Sequence, residues 1–69
     1  MRLSARNQIR GKVIEVVKGA TTSHVRVEIA SGQIITSSIT NEAVDELGLT
    51  SGVTATVVIK ASDVMIAVD

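Results

Sequence analysis

Short polar side chains stand beside small residues at several places in this 69-residue sequence. Ser4-Ala5-Arg6-Asn7 offers a hydroxyl, a guanidinium, a side-chain amide and several backbone N–H groups within four residues. Lys60-Ala61-Ser62 offers an ammonium and a hydroxyl, and further hydroxyls occur in residues 19–23 and 36–38. Consecutive backbone N–H groups beside small residues can form a concave site for an anion. The same residue types are also common in turns and at strand ends, so composition alone leaves both interpretations open.

The sequence contains no group of residues that resembles an enzyme active site. His24 is the only histidine, and its place on the polar side of a strand is typical of a surface or interface histidine. Asp45 and Glu46 are adjacent on a predicted helix, so they point in different directions and are expected to be solvated. With one histidine and no cysteine, a structural zinc site is not expected. The sequence therefore predicts a protein that is not an enzyme and that coordinates no metal cation directly.

The elements that would position the donors are mainly strands. Valine and isoleucine dominate the apolar content, aromatic residues are absent, and β-branched side chains favour strands. Thr40 can cap a short helix that ends near Gly48. Gly11 lies inside the first strand, which suggests a bulge or a close backbone approach. The predicted strands cover residues 9–18, 24–29, 33–39, 53–60 and 64–68.

This order, β-β-β-α-β-β, predicts an all-β fold with one short helix. Residues 1–69 are expected to form a single domain, an OB-like five-stranded Greek-key barrel, named after the oligonucleotide/oligosaccharide-binding fold. Val16-Val17, Ile34-Ile35 and Val57-Val58-Ile59 would make strands apolar on both faces, whereas a barrel wall buries one face. A short chain without cysteine also lacks other means of stabilising a small core. Both features predict an oligomer.

Our expectations for the cellular compartment and the binding partners rest mainly on features that the sequence lacks. There is no signal-peptide pattern and no apolar run of the ~20 residues that a membrane helix needs. We therefore expect a cytoplasmic protein without a membrane partner. Proteins of this fold that bind single strands stack bases on aromatic side chains, and this chain has none and a formal net charge of zero. A nucleic-acid-binding OB domain and a purely structural oligomerisation module remain as alternatives.

Several runs of the sequence are similar to one known family. Ser4-Ala5-Arg6-Asn7-Gln8 followed by Gly11-Lys12-Val13 resembles the opening of the molbindins (Mop proteins), which are small molybdate- and tungstate-binding proteins. Lys60-Ala61-Ser62-Asp63-Val64-Met65 resembles a later segment of the same family. The resemblance covers essentially the whole chain.

The resemblance implies an OB-like domain that assembles as a homohexamer, a trimer of dimers. It also implies that molybdate or tungstate binds as an oxyanion ligand at subunit interfaces, in more than one class of site, without an organic cofactor. Since neither a DNA-binding helix pair nor a nucleotide motif accompanies the domain, molybdenum storage and homeostasis are expected, with no nucleic acid partner. The expected oxyanion-binding residues are Ser4, Ala5, Arg6, Asn7, Gly19, Ala20, Thr22, Ser37, Ser38, Lys60, Ala61 and Ser62.

Overall fold

A computed structural model describes residues 1–69 as one antiparallel sheet with a short helix. The elements in chain order are β1 (Asn7–Lys18), β2 (Thr22–Ile29), β3 (Ile34–Thr40), α1 (Asn41–Leu47) and β4 (Thr54–Ile59), followed by a 3₁₀ turn (Ala61–Asp63). The strand order in the sheet is β3-β2-β1-β4, and the strands curl into a half-barrel. The predicted class, mostly β with one short helix, is confirmed.

The helix begins and ends where the sequence predicts. The Thr40 hydroxyl accepts a hydrogen bond from the Ala43 amide at 3.1 Å, and Gly48 ends the helix in the left-handed conformation with φ of 63°. Glu42 lies in the first turn, where the helix dipole favours a carboxylate. No helix of the chain combines the length and the apolar character that crossing a membrane requires.

The core of the single chain is very small. Its buried apolar residues are Val13, Val25, Val27 and Val44, and Ser23 is the only other buried residue. Apolar side chains on the other face of the strands stay in solvent, among them Val17 and Val58, which are 54% and 43% exposed. The prediction that the strands are apolar on both faces is therefore confirmed.

Gly11 is a point of close backbone approach, which was one of its two predicted roles. A Cβ at this position would lie 2.6 Å from the Glu28 carbonyl oxygen and 2.8 Å from Cγ1 of Val27. The bulge, the other predicted role, lies slightly further along, because the pairing of β1 with β2 shifts register between Val13 and Glu15.

Gly11→Ala is accordingly expected to destabilise the protein by about 1–3 kcal/mol, as overpacking does elsewhere. The physical reason is that the nearest atom to the added Cβ is a backbone carbonyl oxygen, which cannot rotate away as a side chain can. Chemical denaturation would measure the effect. Gly32→Ala measures backbone strain without a clash, because a Cβ there has no heavy atom within 4 Å but the φ of +87° is strained for a residue with a side chain. Equal stability of Gly11→Ala and the wild type would contradict the close approach.

The predicted fifth strand, residues 64–68, does not form within the chain. The segment leaves the 3₁₀ turn with Val64 in extended geometry (φ −90°, ψ 123°), but it pairs with no strand. Its apolar sequence favours a strand, yet a strand exists only where another backbone satisfies its N–H and C=O groups. The five-strand prediction was wrong for the isolated chain, which has four paired strands.

Candidate functional site

Two of the donor-rich runs meet at one end of the sheet. β1 is antiparallel to β4, and Asn7 pairs with Ile59, so the residues that precede β1 lie beside those that follow β4. The Asn7 side chain reinforces this junction by donating a hydrogen bond to the Ile59 carbonyl at 3.2 Å. The result is an open depression of about 660 Å³, here called the β1–β4 depression, lined by Ser4, Ala5, Arg6, Val58, Lys60, Ala61, Ser62 and Asp63.

The two cations of the β1–β4 depression have no partner in the chain. The ion pairs of the molecule are Lys18 with Asp45, at 2.7 Å, and Arg26 with Glu15, at 3.5 Å. Arg6 and Lys60 take part in neither pair and make no side-chain hydrogen bond. Their guanidinium and ammonium donors are therefore available to an external acceptor.

Backbone donors add to these side chains. In the 3₁₀ turn the amides of Asp63 and Val64 bond to the carbonyls of Lys60 and Ala61, at 2.9 and 3.3 Å. The first amides of such a turn have no partner within it, as at the start of any helix. The turn thus leaves the N–H groups of Ala61 and Ser62 without a backbone acceptor.

Asp63 is a lining residue that the sequence analysis did not include among the site residues. Its carboxylate is an acceptor within a set that otherwise consists of donors. Its position one residue after Ser62 was the available signal, since both residues belong to the same short turn. Val58, which supplies an apolar wall, carried no comparable signal.

A second group of predicted residues lies at the opposite end of β1. Gly19 and Thr22, in the loop between β1 and β2, line a separate depression of about 290 Å³ with Val17 and His24. We call it the hairpin depression. His24 is the only titratable residue that lines it, so the histidine that was expected to be an ordinary surface residue lies beside two predicted site residues.

Asn41 holds the loop of the hairpin depression against the start of α1. Its side-chain amide donates to the Gly19 carbonyl at 3.1 Å, and its side-chain oxygen accepts a hydrogen bond from the buried Ser23 hydroxyl. Its backbone amide donates to the Thr21 carbonyl at 3.0 Å. These bonds fix the loop backbone on one side of the depression.

The remaining predicted residues are not gathered with either group. Ser38 is the cross-strand partner of His24 and so lies on the same face of the sheet. Ser37 points to the opposite face, where it lines an apolar groove. Ala20 lines neither depression, and Asn7 supports the strand junction rather than the cavity. The twelve predicted residues therefore fall into two depressions and four separate positions.

Comparison with known proteins assigns the chain to a family. Residues 3–66 match the TOBE domain family. The chain is 52% identical over 66 residues to molybdenum-pterin-binding protein 1 of Clostridium pasteurianum, covering 96% of this chain and 97% of that protein.

Solved structures agree with this assignment. MopII from Clostridium pasteurianum superposes with a TM-score of 0.91 at 48% identity, covering 97% of this chain and all of that one. The cytoplasmic molybdate-binding protein ModG, solved with molybdate bound, also gives a TM-score of 0.91 at 48% identity, covering 94% of this chain and 46% of the ModG chain. The OB-like fold is therefore confirmed, and the chain belongs to the TOBE-domain family as one of its Mop, or molbindin, members.

Proposed function

We propose that this protein binds molybdate in the β1–β4 depression. The observation that carries the proposal is that two donor runs, more than fifty residues apart in sequence, converge with both cations unpaired. Molybdate is a tetrahedral dianion that carries no proton at neutral pH, so it accepts hydrogen bonds and donates none. Guanidinium, ammonium, hydroxyl and backbone N–H groups are donors that suit such a ligand.

A single chain supplies only part of such a site. The β1–β4 depression is open, whereas a tetrahedral anion is held best by donors on several sides. Apolar residues remain exposed over the rest of the sheet, which favours contact with further copies. We therefore place the site at a subunit interface of a homo-oligomer, with the homohexamer, a trimer of dimers, as the assembly.

The hairpin depression is proposed as a second class of oxyanion site. Gly19 and Thr22 line it, and Ala20 and Ser38 lie close to these residues in sequence or in sheet register. Ser37 faces the apolar groove instead and fits this role least. Tungstate, which has nearly the same size and charge as molybdate, is expected to bind the same sites.

The proposed role is storage and homeostasis of molybdenum in the cytoplasm, without catalysis. Relatives are named for a molybdenum–pterin, but a pterin ring is usually held by stacking, and this chain has no aromatic residue. We therefore propose the inorganic oxyanion as ligand and no organic cofactor. No nucleic acid or membrane partner enters the proposal.

Equilibrium dialysis against molybdate, combined with light scattering, tests the proposed function. We expect saturable binding and a mass near six times that of the 7.2 kDa chain. Sulfate at the same concentration controls for nonspecific attraction of a dianion. Absence of saturable binding would overturn the proposed ligand, and a monomer at micromolar concentration would overturn the interfacial site.

A further inference from the structure

The turn between β1 and β2 has free backbone donors, whereas most of its backbone acceptors are occupied. The Thr22 carbonyl accepts a hydrogen bond from the Gly19 amide at 2.7 Å. The carbonyls of Thr21 and Gly19 accept from the backbone and from the side chain of Asn41, at 3.0 and 3.1 Å. Only the Ala20 carbonyl is left without a donor, while the amides of Ala20 and Thr21 donate no hydrogen bond within the chain. Two consecutive free N–H groups favour an anion as their partner.

Asn41 supplies two of these three bonds, and one of the two comes from its side chain. The Gly19 carbonyl can only accept, so the side-chain nitrogen of Asn41 has to face it and the side-chain oxygen has to face away. That oxygen accepts a hydrogen bond from the hydroxyl of Ser23, which is completely buried. Ser23 therefore holds Asn41 in the orientation in which its side-chain N–H occupies the Gly19 carbonyl.

We propose that Asn41 is a positioning residue of the second oxyanion site and that it makes this site selective by occupying the Gly19 carbonyl. This role rests on the hairpin depression being the second oxyanion site proposed above. Gly19 lines that depression with Thr22 and His24, so a free carbonyl there would be an acceptor beside the bound anion. It would repel the oxygens of molybdate, which only accept hydrogen bonds, but it would provide a partner for the proton of hydrogen phosphate.

Two substitutions of Asn41 test the proposal. Asn41→Ala removes the side-chain amide and keeps the backbone bond to Thr21. Asn41→Asp nearly keeps the shape of the side chain and still accepts from Ser23, but it has no N–H for Gly19. A carboxylate at the first residue of α1 suits the helix dipole, so this variant should fold even if Asn41→Ala is destabilised. Ser51→Ala is the matched control, because it removes a side-chain hydrogen bond to a backbone carbonyl in another loop.

His24 gives a direct readout of the hairpin depression, because it lines that depression and is the only histidine of the chain. Titration with molybdate or with inorganic phosphate at fixed pH, followed by the NMR signals of the imidazole ring, gives the affinity of each anion for this site. We expect Asn41→Ala to weaken molybdate binding about tenfold and to leave phosphate binding nearly unchanged. Asn41→Asp, which adds a negative charge, should weaken both anions, but molybdate more. Ser51→Ala should match the wild type.

The ratio of the molybdate and phosphate affinities separates selectivity from a merely structural role. Loosening of the loop alone would weaken both anions by the same factor, so an unchanged ratio in Asn41→Ala would overturn the proposal. If Asn41→Ala does not fold, the same ratio measured with Asn41→Asp decides. Wild-type imidazole signals that do not respond to molybdate would overturn the hairpin site and with it the role of Asn41. Saturable molybdate binding in dialysis would in that case still support the β1–β4 depression as the site of the proposed function.

Discussion

The double substitution Arg6→Ala/Lys60→Ala is expected to weaken molybdate binding by roughly two to four orders of magnitude while leaving the fold intact. A hydrogen bond to a charged group contributes about 1.5–3 kcal/mol, and about 1.4 kcal/mol corresponds to a factor of ten. Neither cation has a partner within the chain, so their removal leaves no unpaired charge behind. The effect should therefore appear in dialysis and hardly at all in chemical denaturation.

Arg10→Ala/Lys12→Ala is the matched control for this experiment. It removes the same two charges from exposed positions in the middle of β1, which pair with Thr56 and Thr54 of β4 rather than lying at the end of the strand. Because total charge changes equally in both double variants, any difference in molybdate affinity between them depends on where the removed charges lie. Equal loss of binding in the two double variants would mean that Arg6 and Lys60 act only through general electrostatic attraction. The site would then have to lie elsewhere.

The two single variants separate the roles of the cations. Lys60→Ala should account for the larger part of the loss, since Lys60 immediately precedes the turn that presents the free amides of Ala61 and Ser62. Arg6 precedes β1 and is free to pair with a carboxylate of a neighbouring subunit. A larger loss from Arg6→Ala than from Lys60→Ala would contradict this division.

Local features of the fold could be predicted from the sequence because they depend on neighbouring residues. The Thr40 cap and the Gly48 terminus involve residues within one or two turns of the helix, and both were predicted correctly. The alternation of apolar and polar residues from His24 to Ile29 likewise identified β2, with an error of two residues at its start.

Features that depend on pairing between distant segments could not be predicted. Residues 4–6 and 60–62 become neighbours only because β1 pairs with β4, and the residues themselves do not specify that register. For the same reason the apolar pattern of residues 64–68 was interpreted as a strand, although the chain offers it no partner. The separation of Ser37 from Ser38 follows from the two-residue period of a strand, since the side chains of adjacent residues of β3 point to opposite faces of the sheet.

Competition between oxyanions is expected to rank tungstate well above sulfate, and sulfate above phosphate. At neutral pH phosphate retains at least one proton, which needs an acceptor, whereas molybdate, tungstate and sulfate need only donors. A buried polar group without a partner costs about 1–3 kcal/mol, which corresponds to roughly a ten- to hundredfold loss of affinity for phosphate. Sulfate satisfies every donor, but it is smaller than tungstate and cannot reach all of them at good distance. Competition dialysis of labelled molybdate at fixed pH and salt would measure the ranking.

Asp63 allows this ranking to test whether any hydrogen-bond acceptor contacts the bound anion. Its carboxylate lines the β1–β4 depression and is an acceptor that could take the phosphate proton. If instead it faces away from the anion, Asp63→Ala should leave the order unchanged and raise affinity for all four anions modestly, because a negative charge is removed nearby. Asp63→Ala also removes the acceptor oxygens, so a selective loss of phosphate competition in this variant, or phosphate competing as well as tungstate in the wild type, would show that an acceptor contacts the anion. The oxyanion would then be selected by its protonation state as well as its size, and the donor-only site would have to be abandoned.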